Sequence, residues 1–247
     1  MRALLAFFTV LPVETSGSSL EDAARRAYLL PLIGLLTGLP GAALLLLAND
    51  VLPPGVAATL ALGAALLAAG LHHTDGVVNV GDALMVRGTP ERRREVLKDA
   101  RVGAGALGAL FVVYAPALAA LVALADASPI EAAVALLVGE VVACSAMLLL
   151  LVFGRTAEEH SSSAYFVRSL KRGSRRGAAL VLALALPPLV ALPLGPAAPP
   201  TALAAPAATV VFALVIAKRA FGGIGGDVAG GTRELARAVF LIALSAL

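Results

Sequence analysis

Residues 72–101, HHTDGVVNVGDALMVRGTPERRREVLKDAR, place two His, three Asp, two Glu and six Lys/Arg in one thirty-residue stretch of an otherwise oily chain. Within it His72, Asp75, Asn79 and Asp82 stand at i−3, i, i+4 and i+7, so a helix here would carry all four on one face. Hard oxygen donors on one face suit Mg²⁺, which binds through a few carboxylates plus substrate phosphates and keeps several waters. Gly76 and Gly81 interrupt that helix or admit the close approach of a ligand. Further on, Thr89, Pro90 and Glu91 form a helix start: a hydroxyl cap, proline at the first helical position and an acid in the first turn. That helix is expected to run to about Arg101, with Gly103 ending it or tightening the entry to the next span.

Two further polar stretches could share the chemistry. Glu158, Glu159 and His160 offer metal or proton-transfer groups, and Lys171, Arg172, Arg175 and Arg176 offer charge for phosphate or anionic lipid. In 218–234, KRAFGGIGGDVAGGTRE, six glycines within ten residues surround Asp227 and follow two cations. A flexible backbone of that kind can turn its N–H groups onto phosphate, with the carboxylate free for a metal. It is not a Walker loop, because no Gly-Lys-Ser/Thr follows.

The elements that must position these groups are membrane spans. The chain has 247 residues, 60% of them hydrophobic and only 14% charged; its mean hydropathy is +0.93. Soluble domains carry about 25% charged residues. An all-α, polytopic integral membrane bundle is expected, as a single catalytic domain over 1–247. A hydrocarbon core of about 30 Å takes about 20 apolar residues in a helix. Runs of about that length fall at 27–48, 55–71, 103–125, 129–153, 177–194 and 201–217, and a shorter run at 235–247 gives a seventh segment that half crosses. Residues 3–13 are too short to span and lack a small-x-small cleavage site, and read as a retained segment on or in the membrane. The lone Cys144 cannot form an intrachain disulfide.

Charge sets the expected orientation. Arg2, Arg25 and Arg26 precede the first span. Six cations from Arg87 to Arg101 separate the second and third, six from Arg155 to Arg176 the fourth and fifth, and Lys218, Arg219, Arg233 and Arg237 the sixth and seventh. The other turns, around Asp50, 126–131 and 195–200, carry none of the 19 Lys and Arg. The positive-inside rule then puts the N-terminus and all four basic segments in the cytoplasm. Of the 16 acids, Asp50, Asp126 and Glu131 fall on the outer turns and Glu140 within a span; the rest share the basic side. The functional face is expected to be cytoplasmic. A transporter would place more ionisable groups at mid-membrane, where Glu140 alone is expected.

Taken together, these residues resemble the cobalamin synthase family, the membrane-embedded adenosylcobinamide-GDP ribazoletransferases. The family's Thr-x-Leu-Pro is matched by Thr9, Leu11 and Pro12, and its Pro-Leu-x-Gly by Pro31, Leu32 and Gly34. Its His-x-Asp-Gly-x-x-Asp-x-x-Asp-Gly is matched by His73, Asp75, Gly76 and Asp82. Its Arg-Asp-x-Arg-x-Gly is matched by Asp99, Arg101 and Gly103, with Lys98 for the first Arg. Its Gly-Gly-x-Thr-Gly-Asp is matched by Gly222, Gly223, Gly226 and Asp227. Asn79 stands for the middle Asp, Ala83 for a Gly and Gly225 for the Thr. Asn keeps one oxygen donor and loses the charge, so weaker Mg²⁺ binding and lower activity are expected.

The resemblance implies transfer of adenosylcobinamide phosphate from adenosylcobinamide-GDP to α-ribazole or its 5′-phosphate, with release of GMP, at a multi-pass protein of the cytoplasmic membrane. It implies Asp75, Asp82, Asp99, Asp227 and Asn79 as the ligand set for Mg²⁺, and His73 or an unpaired Asp as acceptor of the hydroxyl proton. Arg101, Lys218 and Arg219 are then expected on phosphate oxygens, with Gly222, Gly223, Gly226, Glu158 and His160 also at the substrate. Membrane lipid is an expected partner, nucleic acid is not, and a homo-oligomer is compatible. The alternatives are a CDP-alcohol phosphotransferase-like lipid enzyme, whose Asp-Gly-x-x-Ala-Arg core is absent, and a corrinoid-binding or transport protein of weak catalytic power.

Overall fold

A computed structural model describes residues 1–13, 19–48, 51–171 and 173–247. Glu14, Asp50 and Arg172 lie outside the described residues. Twelve helices are described: α1 Arg2–Phe8, α2 Ser19–Arg25, α3 Leu30–Ala48, α4 Pro54–Ala68, α5 His72–Met85, α6 Pro90–Leu97, α7 Ala104–Ala127, α8 Pro129–Phe153, α9 Ser162–Leu170, α10 Gly173–Ala191, α11 Ala198–Ile216 and α12 Gly226–Ser245. The only strand-like feature among the described residues is an isolated parallel bridge between Thr156 and Ile224.

Five helices are long and apolar enough to cross a membrane: α3 with its leading 3-10 turn, α7, α8, α10 and α11, the last two with their trailing turns. A sixth crossing counts only if α4 and α5 are taken as one span, and these two are bent by 95°. The expected second span, 55–71, is thus mostly α4, whose 15 residues are too few to cross alone, and the acidic stretch after it leaves at nearly a right angle. Gly70 at φ +78 and Leu71 at φ +59 make the break. Glycine takes such an angle freely, whereas leucine does so at a cost of order 1–3 kcal/mol.

Helix α8 is the axis of the bundle. Between Ala132 and Val152 all its residues but Val134 and Leu137 are buried, and α3, α10, α11 and α12 pack around it. Lipid is as apolar as leucine, so close backbone approach at small residues, more than apolar burial, drives this packing. Gly34 lets α3 approach so closely that a Cβ there would lie 2.5 Å from the Glu140 carbonyl oxygen.

The expected loop at 218–234 is largely ordered helix. Lys218 and Arg219 sit in a π turn, Ala217–Phe221, that Gly222 ends at φ +75. From Gly226 the chain is helical, so Arg233 and Arg237 are not loop cations: they are 1% and 0% exposed in the interior of α12. The short seventh apolar segment is the distal part of this 20-residue helix. The N-terminal segment forms α1, with Leu4 and Phe8 buried, and is tied to the end of α4 by a 3.0 Å bond from the Val10 N–H to the Ala68 carbonyl.

Candidate active site

Helices α5 and α12 cross at glycines. A Cβ on Gly76 would lie 2.6 Å from the Asp227 carbonyl oxygen, and one on Gly230 would lie 3.1 Å from the Cα of His73. The contact fixes Asp227, in the first turn of α12, beside the acidic face of α5. There the Asn79 side-chain amide donates to Asp75 Oδ2 at 3.2 Å and to Asp227 Oδ1 at 3.1 Å. Two carboxylates and one amide thus converge from residues far apart in sequence. Partial burial, and then the nearby Asp75 charge, push the Asp227 carboxyl above the usual carboxylate range, against the Asn79 hydrogen bond.

Among the described residues no group of three or more His, Cys, Asp or Glu is arranged to hold a metal. Asp75 and Asp227 supply only two anionic ligands, and Asn79 would be the third oxygen donor once its amide turns over. Two partly exposed carboxylates sharing a single amide donor fit a divalent cation that brings its own waters.

Asp82 lies one face-turn further along α5, but its carboxylate caps α7. Oδ2 accepts from the Gly103 N–H at 2.7 Å and Oδ1 from the Ala106 N–H at 2.9 Å. Asp99 is engaged by Arg101, whose Nη2 lies 2.6 Å from Oδ2. The Arg101 hydrogen bonds hold the Asp99 carboxyl down to about 2. Asp82, Asp99 and Arg101 line a common open groove of about 780 Å³ between α5 and α7.

Around Asp227 a cavity of about 160 Å³ gathers Gly223, Gly226, Glu158, Arg94 and Lys98. Glu158 is paired with Lys98 at 2.7 Å. Arg94 Nη1 donates to the Phe221 carbonyl at 2.6 Å, fastening α6 to the end of the π turn. Thr89 Oγ1 accepts from the Arg92 N–H at 3.4 Å, the expected cap of α6, although the helix ends at Leu97 and not near Arg101. Gly223 is packed against chain: its Cβ would meet the Ala157 nitrogen at 2.6 Å, and the adjacent Ile224 N–H donates to the Arg155 carbonyl at 2.8 Å. Gly225 and Gly226 face open space. Lys218, Arg219, Gly222 and His160 are exposed.

A second cavity, of about 420 Å³, opens on the other side of Gly226 and is walled by α1, α9 and the start of α5. His73 lines it, 7% exposed. Its Nδ1 is buried and has no hydrogen-bond partner.

Behind α5 lies a group the sequence did not place. Glu140, Arg233, Glu234 and Arg237 are all buried, and each arginine bridges both glutamates. Arg237 Nη1 meets Glu140 Oε1, and Arg233 Nη1 meets Glu234 Oε1, both at 2.6 Å. Thr37 donates to Glu140 at 2.9 Å, and the Tyr114 hydroxyl to Glu234 at 3.0 Å. Tyr114 also pairs with the Thr74 hydroxyl at 2.9 Å, so the network ends one residue from Asp75. Equal numbers of each sign and the pairing of every terminal guanidinium nitrogen make the buried charges tolerable; Nε of Arg233 and of Arg237 is buried without a partner. The available signal was Glu140 itself, since an acid inside a span calls for a cation, and Arg233 and Arg237 are one helical turn apart.

The whole chain is similar to known sequences. The cobalamin-5-phosphate synthase family model matches residues 1–245. An adenosylcobinamide-GDP ribazoletransferase of Methanocella arvoryzae is 32% identical over 100% of this chain and 95% of its own length. One of Halorubrum lacusprofundi is 36% identical over 98% and 94%, and one of Pyrobaculum islandicum 34% over 98% and 92%. No solved structure matches. With matching over nearly its full length, the chain belongs to the cobalamin-5-phosphate synthase family.

Proposed function

We propose that this chain is an adenosylcobinamide-GDP ribazoletransferase, forming adenosylcobalamin from α-ribazole, or its phosphate from α-ribazole 5′-phosphate. A ribazole hydroxyl oxygen bonds to the cobinamide-side phosphorus, the bond from that phosphorus to the bridging oxygen breaks, and GMP leaves with the electron pair. The observation that carries the chemistry is the meeting of Asp75, Asn79 and Asp227 at the crossing of α5 and α12. Such a reaction develops charge on phosphate oxygens, which positioned cations must offset.

Asp75 and Asp227, with Asn79 turned to present its oxygen, would hold Mg²⁺; the ion supplies charge neutralisation at the diphosphate. Asn79 in place of a third carboxylate lowers the affinity and slows turnover. Arg94 and Lys98, which line the smaller cavity with Asp227, would meet phosphate, with Arg101, Lys218 and Arg219 as outer charges. His73, through its unpartnered Nδ1, accepts the proton of the attacking hydroxyl while Nε2 keeps its own. Asp82 and Asp99 act at one remove, by capping α7 and ordering Arg101.

The protein is proposed to be multi-pass in the cytoplasmic membrane, N-terminus inside, with the site on the cytoplasmic face. Three basic segments and the Lys218–Arg219 turn still alternate with uncharged or acidic turns once Arg233 and Arg237 are removed from the count. The test is reconstitution of the purified chain in liposomes with adenosylcobinamide-GDP, α-ribazole and Mg²⁺, following GMP. Release that requires all three supports the reading; none under any of these conditions, for this chain or for Asn79→Asp, overturns it.

A further inference from the structure

We infer that the cavity walled by Phe7, Phe8 and Phe166 is the subsite for the planar heteroaromatic base of the acceptor nucleoside; this rests on the ribazoletransferase reading. Three phenyl rings from two distant helices form its wall: Phe7 and Phe8 centroids are 4.9 Å apart, Phe7 and Phe166 5.4 Å, and Phe8 and Phe166 5.7 Å. None of the three pairs is parallel, the edge-to-face and tilted packing that aromatic rings favour. Its volume of about 420 Å³ falls in the ~300–1,000 Å³ range of small-molecule sites. Met147 and Leu151 supply further apolar wall.

The polar features lie where a nucleoside would need them. His73 stacks on Phe8 at 6° between planes and leaves Nδ1 buried and unpartnered at the cavity. A buried nitrogen in that state costs free energy that a ligand hydroxyl removes. Gly226 borders both this cavity and the smaller one holding Asp227. A base among the phenyl rings therefore sends its sugar past Gly226 toward the paired acids. The arrangement is held in place from outside: the Thr9 hydroxyl donates to the Leu5 carbonyl at 2.7 Å, and Val10 is bonded to the end of α4, so α1 is fixed against the α4–α5 break.

The experiment uses the full chain in nanodiscs of neutral phospholipid, titrated with α-ribazole while the benzimidazole fluorescence is followed. Saturable binding is expected, competed by free benzimidazole and not by ribose. Phe166→Leu and Phe7→Leu each weaken it about tenfold, the range for losing one aromatic platform under a base. In the GMP assay the KM for α-ribazole rises in step, and that for adenosylcobinamide-GDP does not move. Phe7 is 41% exposed, so its truncation tests the pocket with little hazard to folding. Unchanged α-ribazole affinity in both variants, or no binding to the parent chain, overturns the subsite even where GMP release shows the reaction reading to be right. Binding that depends on Phe166 in a chain that releases no GMP upholds the subsite and overturns the reaction.

Discussion

Asn79 on α5 donates a 3.1 Å hydrogen bond to Asp227 on α12, 148 residues away, and with its second amide hydrogen holds Asp75 in the same group. Without a cation, this amide is what keeps two carboxylates together. With one, the same side chain must present its oxygen. Asn79→Asp removes the donor and adds a third charge, so the metal-free variant is expected to unfold at a lower temperature, since like charges now face one another. Added Mg²⁺ should restore it and bind about tenfold more tightly than to the parent chain. Thermal unfolding in detergent across a Mg²⁺ series measures both; equal Mg²⁺ response in the two proteins would remove the site from this position.

Gly76→Ala is expected to destabilise the fold by about 1–3 kcal/mol, the usual cost of overpacking, and to abolish turnover, because the new methyl would meet the Asp227 carbonyl at 2.6 Å. Gly63, on α4, has nothing within 4 Å of an added Cβ. Gly63→Ala should be neutral or stabilise by up to about 1 kcal/mol through helix propensity. Denaturant unfolding and GMP release, read on both, separate crossing geometry from glycine content.

Asp82→Asn should cost about 0.5–2 kcal/mol, because it weakens the acceptor that caps α7. Its Mg²⁺ affinity should stay at the parent value while Asp227→Asn loses it. A fall in Mg²⁺ affinity for Asp82→Asn as large as that for Asp227→Asn would make Asp82 a ligand and not a cap.

Arg237→Met strands the charge of Glu140 and Glu234 in the bundle and should cost about 3–5 kcal/mol. Pairing it with Glu140→Gln should recover a substantial part, since neutral partners leave no uncompensated charge. Unfolding of the two variants in mixed micelles decides; equal losses would mean the network acts by packing alone.

The spans were legible because length and apolarity suffice to set them: 27–48 and 129–153 coincide with helices of the same bounds. The α4–α5 break was not, because Leu71 takes a left-handed angle that its residue type does not announce. Arg233 and Arg237 were read as loop charges since counting cations ignores their partners, and Glu140 is distant in sequence. At the site, Asp75, Asn79 and Asp227 were named from their spacing and the family motifs. Their meeting depends on a glycine crossing that pattern alone does not show; in 222–231 Gly222 turns the chain, Gly223 and Gly230 make close contacts, and Gly225 and Gly226 stay open. The phenyl wall was invisible for the same reason: Phe7 and Phe8 lie in one segment and Phe166 in another far along the chain.

The most direct measurement is single-turnover GMP release from adenosylcobinamide-GDP by the liposome-embedded chain, with α-ribazole, with and without Mg²⁺, compared with Asp227→Asn and Asp75→Asn. The account predicts release by the parent chain only when both α-ribazole and Mg²⁺ are present, and at least about a hundredfold less from either variant, as for loss of a group that stabilises transition-state charge. Undiminished release from Asp227→Asn or Asp75→Asn would contradict it.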